Sequence, residues 1–252
     1  MFNPMNLVGK RFLVTGASSG LGQVISVYLS LLGAQVLLVG RDESRLNNTL
    51  GMLQGDGHGV EGFDLSNAEA IPGWMKVVAK EFGPFDGLVH SAGVQVTLPV
   101  RAMKIEGFED LMRVNVTAAF ALAKGLRQRG VKAENSSLIF ISSVMGLVGQ
   151  PGISAYCCSK GALISLSKSL ALEFSRENIR VNCIAPGHVE TKMAQELKEG
   201  LTVEQFEAIE SMHPLGLGKP EDVAAAVAFL LADTGRWITG TCLTVDGGYT
   251  AH

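Results

Sequence analysis

Charged side chains are scarce in this sequence, and their scarcity excludes whole classes of protein. They make up 18% of the 252 residues, against roughly 25% in an average globular protein. The formal net charge is −3 and no basic cluster offers a face to phosphate groups, so no nucleic-acid partner is expected. Since 47% of the residues are apolar, one large core can form, and the low charge indicates that some surface is hidden in an oligomer.

Cysteine is also sparse, and its spacing predicts neither a metal site nor a disulfide framework. The four cysteines are Cys157, Cys158, Cys183 and Cys242, with no Cys-x-x-Cys pair and no paired histidine. Residues 1–10 lack the basic stretch and apolar core of a signal peptide. We therefore expect reduced thiols, no metal and a cytoplasmic protein.

A run without charge, from Phe12 to Gly40, is long enough to span a bilayer. However, it contains glycines, serines and glutamines at intervals, and it divides into strand, turn, helix, turn and strand. We expect no membrane partner.

Apolar strands and helices alternate along the whole chain. Strands are predicted at 11–15, 35–40, 58–64, 85–90, 137–142, 178–185 and 243–245. Helices are predicted at 21–32, 42–52, 66–82, 106–128, 156–176, 192–212 and from Pro220 onward, with Ser66 and Glu69 forming a capping box. This alternation predicts one α/β domain over 1–252, whose seven-stranded, mostly parallel sheet carries helices on both faces.

A glycine-rich turn joins the first strand to the first helix. Its glycines, at 16, 20 and 22, let the backbone approach a ligand closely, and the helix N-terminus behind it suits a pyrophosphate. The spacing differs from Gly-x-Gly-x-x-Gly. Such a turn alone is more often only a turn, but its position between strand and helix favours dinucleotide binding.

Tyr156 and Lys160 lie four residues apart, on one face of a predicted helix. An ammonium beside a phenol favours the phenolate, which makes the pair a general acid/base for an alcohol or carbonyl oxygen. Ser143, at the end of an apolar run, is placed to hydrogen-bond the same oxygen. By itself such a pair is usually an accident of a solvated helix face.

Asn115 interrupts the apolar run between Val114 and Val116 in a predicted helix. Asparagine is a poor residue for a helix interior, so its side chain has a function or is a tolerated polar group bonding a neighbour. The sequence leaves both alternatives open.

These motifs together resemble the short-chain dehydrogenase/reductase family over essentially the whole chain, most of all its 3-oxoacyl-carrier-protein reductase group. The shared motifs, in the family's order, are the turn 15–22, Asp64, Ala92-Gly93, Asn115, Ser143, Tyr156 with Lys160, and Pro186-Gly187 with Thr191. The resemblance implies a doubly wound Rossmann-type fold and NAD(P)-dependent interconversion of a small-molecule carbonyl and an alcohol. The alternatives are an NAD-dependent alcohol or sugar dehydrogenase of the same family and a nucleotide-binding scaffold that kept the fold but lost turnover. A scaffold would be free to lose the four implied catalytic residues, all of which are present here.

The resemblance implies a role for each matching residue. Tyr156 would carry the proton, Lys160 would lower the pKa of Tyr156 and hold the nicotinamide ribose, Ser143 would orient the substrate oxygen, and Asn115 would hold a relay water. The implied cofactor-binding residues are Gly16, Ser18, Ser19, Gly20, Leu21, Gly22, Arg41, Asp64, Leu65, Ser91, Ala92, Gly93, Pro186, Gly187, Val189 and Thr191, with Tyr156 and Lys160.

The chain departs from the family where His90-Ser91 precede Ala92-Gly93, because the family usually has two asparagines there. We expect His90 to be a structural residue at a strand end, with the change affecting local stability and cofactor affinity. His58 is expected to lie in a loop.

The preference between NADP(H) and NAD(H) rests on the end of the second strand. That strand ends at Gly40 without a carboxylate, and the following Arg41 can bind a 2′-phosphate, which favours NADP(H). Ser19, where a second basic residue is often found, argues against it, and Asp42 would repel the phosphate unless it caps the next helix.

The substrate itself is not readable, but its pocket is expected at 94–100, 144–153 and 193–212. The apolar residues expected to line it are Leu98, Met145, Leu147, Met193, Phe206 and Met212. Lys192 and Lys198 do not establish docking of a carrier protein. The helices at 156–174 and 223–232 are apolar around most of their circumference, which predicts two interfaces and a homotetramer.

Overall fold

The structure, a computed structural model, describes residues 3–191 and 202–251. One sheet contains β1 Arg11–Thr15, β2 Gln35–Gly40, β3 Gly59–Gly62, β4 Phe85–His90, β5 Lys132–Ile141, β6 Ile179–Pro186 and β7 Cys242–Val245. The α-helices are α1 Gly20–Leu31, α2 Glu43–Leu50, α3 Ile71–Phe82, α4 Ile105–Met112, α5 Ala118–Leu126, α6 Ser154–Phe174, α7 Val203–Ser211 and α8 Pro220–Leu231.

The seven strands lie in the order β3-β2-β1-β4-β5-β6-β7, and every neighbouring pair is parallel. The predicted fold is confirmed, and the sheet is parallel throughout. The chain moves outward in one direction from β1 to β3 and in the other from β4 to β7. A crevice therefore opens between the carboxyl ends of β1 and β4, where open α/β sheets bind their ligands.

Both faces of the sheet are covered, because successive side chains of each strand point to opposite faces. Phe12 and Val14 of β1 pack in the core with α1 and α8 residues, whereas Leu13 packs with residues of α3, α5 and α6. All three side chains are essentially buried. Strands buried on both faces explain the near-continuous apolar runs in the sequence.

Two predicted boundaries were wrong in a way that concerns the site. The capping box at Ser66 does not form, since α3 begins at Ile71 after a short 3-10 turn, and the Ser66 N–H donates to Asp64 Oδ1 instead (3.0 Å). The third strand also ends at Gly62, so Asp64 and Leu65 lie in the loop beyond it. An Asx turn thus replaces the expected cap.

The helix predicted for 106–128 is interrupted in the middle. α4 ends at Met112, a π-helical turn spans Arg113–Thr117, and α5 continues from Ala118. Asn115 lies at the centre of the π-turn and is fully buried. Such turns distort the regular ladder of backbone bonds and are frequent at functional sites.

Smaller differences concern element ends. β5 begins five residues earlier than expected, at Lys132, and α6 begins at Ser154. Of the region predicted helical at 192–212, α7 forms Val203–Ser211, while 192–201 lie outside the described residues. Pro220 occupies the first turn of α8 as expected.

Within the described part of the chain, no helix combines the length and the apolar character needed to cross a membrane. The four cysteines are all free thiols, and only Cys183 is fully buried.

Candidate active site

The predicted site residues meet at one edge of the sheet. β1, β4, β5 and β6 end there at Thr15, His90, Ile141 and Pro186, because parallel strands point the same way. The turns that follow these strands carry the glycine-rich segment, Ser91 to Gly93, Ser143, and the segment from Gly187 to Thr191.

The glycine-rich turn forms a cradle that side chains would fill. Gly16 has φ +68°, and a Cβ there would lie 2.8 Å from the backbone nitrogen of Ala92. A Cβ on Gly22 would overlap the carbonyl of Gly16. Gly20 also has positive φ, but among the described residues nothing outside its own chain neighbours and helix backbone lies within 4 Å of its Cβ position. That open space is where a ligand can approach the backbone.

The N-terminus of α1 behind this turn is free to bind an anion. Ser19 is the N-cap, but its side chain makes no capping hydrogen bond. The N–H groups of the first turn and the positive end of the helix dipole therefore face the cradle, with Ser18 and Leu21 beside it. The residues present fit the pyrophosphate of a dinucleotide.

Arg41 and Asp64 lie at the ends of β2 and β3, on the side where an adenosine would be bound. Arg41 is exposed, and its guanidinium is close enough to act on Asp64. The pKa of Asp64 is lowered mainly by a backbone hydrogen bond from Ser66, with a smaller contribution from Arg41. Asp42 caps α2 by accepting from Arg45 N (3.1 Å), as expected, so its carboxylate is turned toward the helix.

On the other side of the crevice, the segment after β6 is held by backbone bonds. Gly187 N donates to Val245 O (3.0 Å), Val189 pairs with Gly218, and Thr191 N donates to Val189 O (2.7 Å). A Cβ on Gly187 would lie 2.9 Å from the Cα of Asp246. The predicted nicotinamide clasp is therefore packed against the C-terminal turn.

Tyr156 and Lys160 lie on one face of α6, as predicted. Lys160 Nζ is 5.4 Å from the centroid of the Tyr156 ring and donates to the carbonyl of Ile141, the last residue of β5 (2.9 Å). Ser142 Oγ donates to the Lys160 carbonyl (2.7 Å) and ties the same strand end to the helix. The pair is thus fixed to the edge of the sheet.

Burial sets the charge state of this pair. It raises the pKa of Tyr156 to about 12, although a hydrogen bond with the Ser143 side chain opposes the rise. Burial also lowers the pKa of Lys160 to about 8. Lys160 is not among the causes of the Tyr156 pKa shift, so the lowering of that pKa by Lys160 stays a prediction.

Ser143 lies beside Tyr156 in a short turn that packs on α6. Its Oγ accepts from Met145 N (3.1 Å), so it caps the 3-10 turn Val144–Gly146. A Cβ on Gly146 would lie 2.7 Å from the backbone of Lys160. This close contact brings the Ser143 hydroxyl to the phenol.

The Asn115 side chain makes three hydrogen bonds to protein partners. Its Oδ1 accepts from Val94 N (2.8 Å), and its Nδ2 donates to Val94 O (3.0 Å) and to Ser159 Oγ (3.0 Å). It therefore joins the loop after β4 to α6. Both amide protons are donated to the protein, so a water held by this residue would donate to its second Oδ1 lone pair or to its backbone carbonyl.

Two residues of this framework, Ser159 and His213, were not predicted, and Thr15 was predicted only as the first residue of the glycine-rich turn. Thr15 Oγ1 accepts from Ala92 N (3.2 Å) and contacts the His90 ring, and Ser159 positions Asn115. His213 accepts from His188 N (3.2 Å) and lies 4.8 Å from the ring of Tyr249. Serine and threonine are too common to be singled out without the contact, and only the position of Ser159 between Tyr156 and Lys160 was an indication.

The segments expected to form the substrate pocket carry partly exposed apolar side chains, here called the apolar rim. The segments around residues 94–100 and 147–153 lie side by side, joined by the bond from Leu98 N to Gly152 O (2.7 Å). Large apolar side chains at the rim are partly exposed, namely Val94, Val96, Leu98, Leu147, Val148 and Met212. Met145 is buried beneath Tyr156, Phe206 is half-buried, and Met193, Lys192 and Lys198 lie outside the described residues.

A family model described as enoyl-(acyl carrier protein) reductase matches residues 16–250 of this chain. A 3-oxoacyl-[acyl-carrier-protein] reductase of Vibrio cholerae is 36% identical over 245 residues, covering 97% of this chain and 98% of its own. The enzyme of that name from Rickettsia prowazekii is 38% identical over 246 residues, with the same coverage of both chains.

Solved structures have the same fold. A dehydrogenase/reductase from Sinorhizobium meliloti is 32% identical and superposes with a TM-score of 0.88 over 98% of this chain and 97% of its own. A protein from Agrobacterium tumefaciens with bound NADP is 29% identical, with a TM-score of 0.90 and complete coverage of both chains.

Proposed function

Since the chain belongs to the short-chain dehydrogenase/reductase family, we propose that it reduces a hydrophobic ketone to a secondary alcohol with NADPH. Membership makes it a dehydrogenase/reductase acting on CH–OH and carbonyl groups. The finer assignment rests on one observation: Ser143, Tyr156 and Lys160 are joined at the sheet edge, beside an uncapped helix N-terminus and under an apolar rim.

When bound, the nicotinamide cofactor supplies the hydride, which adds to the carbonyl carbon. The chain supplies the rest. The Ser143 hydroxyl holds the carbonyl oxygen, and Tyr156 donates its phenolic proton to that oxygen as the alcohol forms. Lys160, fixed by the Ile141 carbonyl, stabilises the resulting phenolate. The backbone carbonyl of Asn115 holds the water that returns a proton to the pair.

Preference for NADPH rests on Arg41. It is exposed at the end of β2, where an NAD-preferring fold has a carboxylate, and Asp42 is occupied as the cap of α2. Arg41 can therefore bind a 2′-phosphate by paired charge-assisted hydrogen bonds. The Agrobacterium tumefaciens relative with bound NADP supports the same preference.

The apolar rim supports an acyl chain or a similarly hydrophobic group as the substrate body. Relatives named 3-oxoacyl-[acyl-carrier-protein] reductase make a 3-oxoacyl thioester the first choice. A rim of partly exposed apolar residues is typical of a binding groove. A longer acyl chain covers more of it, so catalytic efficiency should rise with chain length.

The experiment follows NADPH absorbance with 3-oxoacyl thioesters of increasing chain length, using wild type and Tyr156→Phe. The substitution removes the proton donor and keeps the ring, so turnover should fall by roughly 10²–10⁴ while NADPH still binds. Tyr28→Phe, which removes a hydroxyl from α1 far from the catalytic pair, is the matched control and should keep wild-type turnover. Tyr156→Phe with most of the wild-type rate would exclude this mechanism.

We also propose a homotetramer, because apolar side chains remain uncovered on several helices and loops. Leu172 of α6 is 80% exposed, Phe120 of α5 is 54% exposed, and Trp237 near β7 is 96% exposed. Two distinct isologous contacts close a tetramer. Light scattering should give the tetramer for wild type and a smaller species for Phe120→Glu, whereas a wild-type monomer at micromolar concentration would refute the proposal.

A further inference from the structure

His90 is the one residue of the described chain with a buried side-chain polar atom, Nε2, that has no hydrogen-bond partner. The residue ends β4 and is 1% exposed. Its Nδ1 lies 3.0 Å from Thr15 Oγ1, at the end of the neighbouring strand. An unpaired buried donor or acceptor costs free energy, so the chain retains this one against a penalty.

The hydrogen bond to Thr15 is compatible with a proton on the other nitrogen of the ring. Thr15 Oγ1 accepts from Ala92 N and can donate its own proton to His90 Nδ1, 3.0 Å away. We infer this direction, in which the neutral ring carries its proton on Nε2. The unpaired atom is then a donor.

The groups around the ring identify what this donor faces. Phe140 of β5 presents its ring edge-on at 6.4 Å, and the Lys160 ammonium disfavours a second positive charge. The backbone of Asn115 acts on the ring as an acceptor, because it favours protonation. Since Nδ1 is bonded to Thr15, the nitrogen left for Asn115 is Nε2, and in this structure their contact falls short of a hydrogen bond.

We propose that His90 is a positioning residue that joins the cofactor turn to the proton relay. Through Nδ1 it holds Thr15 and, with it, the turn at Ala92 that faces the glycine cradle. Its Nε2–H, which has no partner in the described part of the structure, would be the donor to the backbone carbonyl of Asn115 in the π-turn. A carbonyl has two lone pairs, so the second stays available to the relay water.

This inference rests on the proposed function, but the roles of the two ring nitrogens of His90 can be tested separately by isosteric substitutions. His90→Asn keeps an acceptor near Nδ1 and loses the donor at Nε2, whereas His90→Gln keeps the distal donor and loses the proximal acceptor. His58 is the matched control, because its Nδ1 also accepts a backbone N–H and its Nε2 donates to Gln54 O, away from the site.

In the kinetic test, His90→Asn should lower kcat by roughly two- to tenfold, the effect of one hydrogen bond, with the NADPH dissociation constant near the wild-type value. His90→Gln should raise that dissociation constant by a similar factor and change kcat less. His58→Asn should leave both constants unchanged. Wild-type kcat in His90→Asn would overturn the proposal.

Two measurements on the cofactor-free protein decide the same question without turnover. Nitrogen-15 NMR of the imidazoles should show the Nε2–H tautomer for His90, and hydrogen exchange over residues 113–117 should accelerate in His90→Asn but not in His90→Gln. An Nδ1–H tautomer or equal exchange would refute the positioning role. If wild type reduces no ketone, the proposed function fails while these results still test His90.

Discussion

Gly20 offers the sharpest test of the cofactor cradle, because its requirement for glycine has two separable causes. Its φ of +55° disfavours any side chain, yet in the part of the chain that the structure describes nothing beyond the local backbone lies within 4 Å of its Cβ position. Gly130 is the matched control, since it also has positive φ (+83°) and open space around its Cβ, but it lies in the exposed turn after α5.

Alanine at either position destabilises the folded state by about 1–2 kcal/mol, because its backbone must be left-handed. A few tenths of a kcal/mol are offset, because alanine also lowers the conformational entropy of the unfolded chain. Both variants should therefore lose about 1 kcal/mol of unfolding free energy in urea titrations. Gly20→Ala alone also places a methyl group where a pyrophosphate would approach the helix N-terminus. Its NADPH affinity should fall by at least about tenfold, equivalent to 1.4 kcal/mol.

Equilibrium titration of NADPH fluorescence measures the affinity, and the Gly130→Ala value corrects for any general loosening of the fold. Equal NADPH affinity in the two variants would show that no ligand approaches the backbone at Gly20. The glycine-rich turn would then not be the pyrophosphate site, whatever the enzyme's activity.

Three further outcomes follow from single contacts. Arg41→Ala should cost NADPH roughly 1.5–3 kcal/mol in catalytic efficiency and leave NADH nearly unchanged, and an equal loss with both cofactors would place Arg41 outside the site. Asn115→Leu removes three buried hydrogen bonds, to Val94 and Ser159, so urea unfolding should show a loss of roughly 3 kcal/mol at about 1 kcal/mol each. Burial lowers the pKa of His90 from 6.5 to about 3, so between those values the unfolded chain binds a proton that the folded chain does not. Wild type should therefore lose about 1.4 kcal/mol per pH unit more than His90→Asn as the pH falls from about 6 to 4, and parallel curves would contradict the buried neutral imidazole.

The sequence alone predicted the sheet, because buried parallel strands give apolar runs that stand out between helices. It also predicted that Tyr156 and Lys160 lie close together, since a helical spacing of four puts them on one face. The cap at Asp42 was predictable for the same reason: its partner lies three residues away. Contacts between residues three or four apart can therefore be predicted from their spacing in the sequence.

The remaining features depend on contacts between distant segments, which no local pattern encodes. Asn115 stood out as an unfavourable residue inside a helix, but it lies in a π-turn and its side chain binds Val94, twenty-one residues away. Ser66 had the spacing of a cap, yet Asp64 bonds its backbone first. The pKa of Tyr156 depends on burial, which the sequence indicates only as an average.

The raised pKa of Tyr156 predicts how the rates of reduction and oxidation should depend on pH. With its pKa raised to about 12, Tyr156 is almost entirely a phenol and is ready to donate a proton to a carbonyl oxygen. Oxidation of an alcohol needs the phenolate, whose fraction rises about tenfold per pH unit below that pKa. Reduction should therefore be fast at pH 7, and the oxidation rate should climb steadily as the pH is raised.

Initial rates of both directions between pH 6 and 10, at saturating cofactor, measure this pH dependence. An oxidation rate that is already level at pH 7 would mean that binding of cofactor and substrate restores the lowered pKa that the Tyr156 and Lys160 spacing predicts.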